Sequence, residues 1–166
     1  MAAYGDDAGF QTWLDEQGYV LPGTAPSLAV LRARGSAYVD GYEAQWTGYR
    51  IGGAVQDLAW PRTGARFNCV QAIPDNIIPP SIINAAYRAA WLEAETPGIL
   101  IGSSAGLGQR VKRERVEGAV DVEYFDDGKP GSSGGPSFID SMIDGALRAF
   151  ICDNSKGAAF LWTLGS

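Results

Sequence analysis

Arg110, Lys112, Arg113 and Arg115 hold four of the thirteen basic residues of this chain within six positions. Such a cluster can pair with phosphates or with an acidic protein surface. Glu114 and Glu117 are interleaved with it, and Asp121 and Glu123 follow shortly. Salt bridges between strands therefore compete with partner binding as its role. Just upstream, Gly102-x-Ser104-x-Gly106 imitates the nucleophile elbow of a hydrolase. That triad needs a histidine to take the serine proton, and the chain has none. The same absence removes the commonest general base, metal ligand and near-neutral pH switch. Glu93 and Glu95, two apart, cannot share a helix face. Asp121, Glu123 and Asp126 lack the glycine and terminal glutamate of a calcium loop. Gly131 to Gly135 lacks the lysine and preceding strand of a P-loop. Cys69 and Cys152 have no metal-type spacing; they read as reduced and buried, a disulfide being open only in an oxidising compartment. No catalytic, cofactor or metal site emerges, and the chain reads as a non-enzyme.

The totals agree with a binding or structural role. A chain of 166 residues suits one domain with a real core, and 46% apolar with 19% charged residues is an ordinary globular balance. The net charge of −6 weighs against a general nucleic-acid binder, which should carry a basic face. No apolar run approaches the ~20 residues of a membrane span. Met1 to Asp7 lacks the basic and apolar parts of a signal peptide, so a cytoplasmic product is expected.

The elements that would position these residues are mainly helical. Asp6 or Asp7 can cap a helix over about 8–17, with Gly18 as its stop. Leu28, Leu31, Gly35, Tyr38 and Tyr42 make one stripe of a helix over about 25–46. Gly35 within that stripe implies a close helix contact or a kink. From Thr47 to Ile78 no periodicity holds, and Trp60, Phe67, Cys69, Val70 and Ile73 are the residues expected to pin this long loop to the core. At its centre, Trp60, Pro61 and Arg62 form a structural elbow, since the residue before a proline is pushed out of the helical region. Pro79 and Pro80 open a helix over about 80–95 with close-packing alanines. Val120, Val122 and Tyr124 alternate with Asp121 and Glu123, so 110–125 reads as a β-hairpin that needs outside support. Residues 126–136 have a linker's composition. Ser137 would cap a last helix over 137–151, with Asp140 as the capping-box acid. The whole is a mainly α fold: a small bundle of about four helices with a protruding β-hairpin and long loops, one domain over 1–152. The tail, 153–166, carries Phe160 and Trp162 and either folds back or docks on a partner. Arg110, Lys112, Arg113, Arg115, Tyr124, Phe160 and Trp162 are the candidate interface residues.

Several of these segments carry a family resemblance. They are Ala37 to Tyr42 on a helix, Leu58-Ala59-Trp60-Pro61-Arg62-Thr63-Gly64, Ile78 to Ile82 opening the alanine-rich helix, and the pair Lys112 to Val116 with Val122 to Tyr124. Together they resemble the tailed-bacteriophage head–tail connector proteins whose family carries the label DnaT-like single-stranded DNA-binding protein. The resemblance implies a virion adaptor, or head-completion protein, assembled in the host cytoplasm. It further implies a homo-oligomeric, usually twelve-fold ring between the portal protein and the next neck or tail-terminator protein, with no cofactor. Double-stranded DNA would pass through the channel without specific binding, and an acidic lining would let it slide. The alternative is a replication-type single-stranded DNA-binding protein, which would use a basic groove with stacking aromatics.

Overall fold

A computed structural model describes residues 2–101 and 140–152. The predicted hairpin over 110–125, the linker and the tail lie outside these residues, as do Arg110, Lys112, Arg113, Arg115, Tyr124, Phe160 and Trp162. Four α-helices are present among the described residues: α1 (Asp7–Gln17), α2 (Leu28–Asp40), α3 (Pro80–Glu95) and α4 (Ser141–Arg148). The fold is mainly α, a small bundle carrying two small antiparallel strand pairs.

Each helix starts and stops for a local reason. Asp6 caps α1 by accepting from the Gly9 N–H at 2.7 Å. Gly18, at φ 70°, ends it in a left-handed turn, with the Tyr19 N–H reaching back to the Leu14 carbonyl at 2.9 Å. The second helix begins at Leu28, where its stripe starts and three residues after the expected boundary. Ala25 precedes Pro26, which disfavours helical backbone there. It also stops at Asp40, well short of Trp46, and a short 3-10 turn over Glu43–Gln45 follows. Trp46 leaves the helix path and pairs by a β-bridge with Ile151. For the last helix the cap is Asp140, whose Oδ1 accepts from the Met142 and Ile143 N–H groups at 3.0 and 3.1 Å. That corrects the assignment of the cap to Ser137.

α3 lies between α2 and α4. Ala85, Ala86, Ala89 and Ala90 are all buried on it and let both neighbours come close. Gly35 of α2 faces this surface: a Cβ there would sit 2.2 Å from the Ala86 carbonyl oxygen and 2.7 Å from the Ala90 nitrogen. Its role is therefore close approach. One core cluster gathers Tyr38, Val39, Trp60, Ile82, Ile143 and Phe150, and a second gathers Phe10, Leu14, Leu31 and Tyr87.

The long loop is partly ordered by strands too short to show alternation. β1 (Tyr49–Arg50) pairs antiparallel with β2 (Arg62–Thr63), with Tyr49 opposite Thr63. β3 (Arg66–Phe67) pairs with β4 (Gln71–Ala72), with Phe67 opposite Gln71. Within this loop Ala59, Trp60 and Ala65 are buried, whereas Phe67, Cys69 and Val70 are exposed. Phe67 and Cys69 hold the loop through surface contacts beside α4 instead of by burial, whereas Val70 is exposed, which corrects its expected part in pinning the loop. All three sit at the turn of β3–β4.

Candidate nucleic-acid interface

The elbow is built inward. Trp60, 1% exposed, packs against Trp46 at 5.7 Å and edge-on to Phe150 at 5.6 Å, ring centre to ring centre. The Trp60–Pro61 peptide is cis. Arg62 is buried and spends its guanidinium locally. Nη1 donates to Glu43 Oε1 at 2.9 Å, Nη2 to the Gly48 carbonyl at 2.6 Å and Nε to the Thr47 carbonyl at 3.1 Å. Arg50 holds the other Glu43 oxygen at 2.6 Å. The Arg50 hydrogen bonds, with those of Arg62, keep the Glu43 carboxyl below the usual carboxylate range despite partial burial. Behind the elbow, the Tyr4 hydroxyl donates to Asp40 Oδ1 and accepts from the Trp60 N–H at 3.1 Å. Burial, then the Asp40 charge, pushes the Tyr4 phenol up, so it stays protonated and can donate. Burial likewise raises Asp40. This region is a scaffold.

A census of cations locates a different surface. Arg32 pairs with Asp7, Arg34 with Glu93, Arg50 and Arg62 with Glu43, and Arg88 with Asp140. Arg66 and Arg148 alone among the described arginines have no carboxylate partner among the described residues; Arg66 donates only to the Val70 carbonyl, at 3.2 Å. Both are exposed, and both belong to the elements that meet at one end of the molecule. The Asn68 N–H donates to the Ala149 carbonyl at 2.6 Å, seating the β3–β4 turn on the end of α4.

At that junction lies an apolar groove of about 350 Å³, lined in part by Phe67, Gln71, Ile73, Pro74, Pro79 and Phe150. Phe67 is 38% exposed, while Phe150 beneath it is 2% exposed. Arg66 directly precedes Phe67, and Arg148 stands two residues before Phe150. Asp75, next to Pro74, is the acid on this rim and accepts from Thr63 Oγ1 at 2.7 Å. An exposed ring with rigid backing can stack a base, and guanidinium groups on the same elements can meet phosphates.

The sequence model of one family, described as "Putative DnaT-like ssDNA binding protein", matches residues 2–163. The chain belongs to that family. No curated protein and no solved structure matches it. The head–tail connector identification is corrected by this match. The family's description names single-stranded DNA binding and not a connector, so the ring-forming virion function gives way to the alternative.

Sequence reasoning missed Arg66, Phe67, Arg148 and Phe150 as a group. Their common signal was faint: two arginines, each within two positions of a phenylalanine.

Proposed function

We propose that the protein binds single-stranded DNA, with the groove between the β3–β4 turn and the end of α4 as its seat. Membership of a family described by that activity supports the reading, and so does the groove. The observation that carries it is the exposed ring of Phe67, backed by Phe150, on elements that also bear Arg66 and Arg148, two exposed arginines without a salt bridge among the described residues. The geometry favours a single strand over a duplex, because stacking on Phe67 needs an unpaired base.

The net charge of −6 makes the attraction local. Two phosphate contacts on a single strand correspond to a slope of about −1.4 in log affinity against log salt. The test is a fluorescence-anisotropy titration with labelled oligothymidylate at low and at moderate salt, with a duplex of equal length beside it. Salt-dependent binding of the single strand in preference to the duplex supports the reading. No binding at low salt ends it.

A further inference from the structure

Cys69 and Cys152, 83 positions apart in sequence, are joined as a disulfide with 5.5 Å between their Cα atoms, which corrects the expectation of reduced, buried thiols. They are the only two cysteines of the chain. Cys69 is a poor fit to its local backbone. Asn68 and Cys69 have φ of 49° and 62°, and the Val70 N–H donates to the Phe67 carbonyl at 3.2 Å. This is a tight hairpin turn with two left-handed residues, the second of which is usually glycine. Nor is Cys69 part of the core, since it is exposed. Neither turn geometry nor packing accounts for a cysteine here, but the bond to Cys152 does.

That bond lies at the groove. Cys69 is two residues from Phe67, and Cys152 is two residues from Phe150. Both phenylalanines line the groove and touch each other there. Apart from the disulfide, the turn is held on α4 by the hydrogen bond from Asn68 to Ala149 and by the contact between the two rings. Both are easily broken at a solvent-exposed turn.

We propose that the Cys69–Cys152 disulfide is an exchangeable clasp that sets the groove's shape by fixing the Phe67 wall against α4. Its effect on DNA rests on the single-stranded DNA reading above. Exposed disulfides are the ones open to exchange. A thiolate of a small dithiol attacks the exposed Cys69 sulfur and forms a mixed disulfide, releasing Cys152 as a thiolate that takes up a proton. The second thiol of the reagent then closes on the first and releases Cys69. The protein gains two electrons and two protons, and the dithiol is oxidised to its cyclic disulfide. Oxidised protein holds the groove formed; reduced protein leaves the Phe67 turn free to move.

The test uses the full chain isolated without reductant, before and after treatment with a dithiol, beside Cys69→Ser and Cys152→Ser. Three readouts are taken: thiols titrated in denaturant, amide hydrogen exchange over residues 66–72, and affinity for labelled oligothymidylate. No free thiol before treatment and two after are expected. Exchange at 66–72 should speed several-fold while α3 stays protected, and affinity should fall several-fold. Free thiols in the untreated protein, or unchanged exchange at 66–72, would overturn the clasp. Equal affinity of both forms would overturn its influence on binding. If exchange responds as expected but neither form binds, the single-stranded DNA reading falls and the clasp itself stands. Agreement of both serine variants with the reduced protein separates a missing bond from misfolding of one variant.

Discussion

Phe67 and Phe150 meet edge to face, 5.6 Å between ring centres and 69° between ring planes. Phe150 in turn meets Trp60 edge to face in the core. A chain of three aromatic rings thus runs from the elbow to the surface, and its outermost member is the one exposed to solvent. Phe67→Ala removes the platform while leaving Phe150 and Trp60 in place. One stacked base is worth about 1–3 kcal/mol, so oligonucleotide affinity should fall by that much in an anisotropy titration. The melting temperature, read alongside, should change little.

Arg62 supports the same chain from below. Arg62→Met would leave the carbonyls of Thr47 and Gly48 without their donor and remove one of the two arginines on Glu43. Leaving an acceptor without its donor costs about 1–3 kcal/mol where it is buried, and since Glu43 is partly exposed and keeps Arg50, a loss in that range is expected. The urea midpoint gives the measurement. A change below about 1 kcal/mol, as for an ordinary surface residue, would show that the elbow does not depend on this side chain.

Gly35→Ala should destabilise, against helix propensity. Alanine is the better helix former by about 1 kcal/mol. Its methyl, however, would sit 2.2 Å from the Ala86 carbonyl oxygen, and backbone on α3 cannot swing aside as a side chain could. Overpacking of this kind costs about 1–3 kcal/mol. Calorimetry should therefore show a lower melting temperature for the variant.

The Glu43 cluster predicts an acid-sensitive component of stability. Arg50 and Arg62 hold the folded-state value of Glu43 below its unfolded value. The resulting stability is present above the unfolded-state value and is lost as pH falls through the folded one. Asp40 acts in the opposite sense: burial raises it, so its penalty is relieved as pH falls. Glu43→Gln removes the first effect and leaves the burial of Asp40, the main cause of the second, in place. Wild type should be the more stable at neutral pH, and the gap should narrow on acidification through the carboxylate range. Denaturation midpoints of the two proteins over that range provide the check.

Much of the bundle could be read from the chain because its signals are local. Asp6 and Gly18 bracket α1, and Pro79-Pro80 opens α3. The end of α2 was not legible: Tyr42 and Trp46 continue the apolar stripe, yet both are buried beyond Gly41, outside the helix. Two-residue strands carry no alternation, so β1 to β4 left no trace. Tyr4 stood in a short stretch without periodicity, and only the fold brings it to Ser36, Asp40 and Trp60. The groove is the hardest case. Phe67 has an apolar side chain in a loop, which argues for burial, and its place at a projecting turn depends on contacts with a helix some eighty residues away. The pairing of Cys69 with Cys152 is hidden for the same reason.

The central claim is that single-stranded DNA lies along this groove, with Arg66 and Arg148 meeting its phosphates. It is tested most directly by the salt dependence of oligothymidylate affinity for the wild type and for Arg66→Ala and Arg148→Ala. Each variant should bind more weakly at low salt, and each should flatten the log–log slope by about 0.7, the share of one phosphate contact on a single strand. Wild-type slopes retained in both variants, or no binding by the wild type at low salt, would contradict the account.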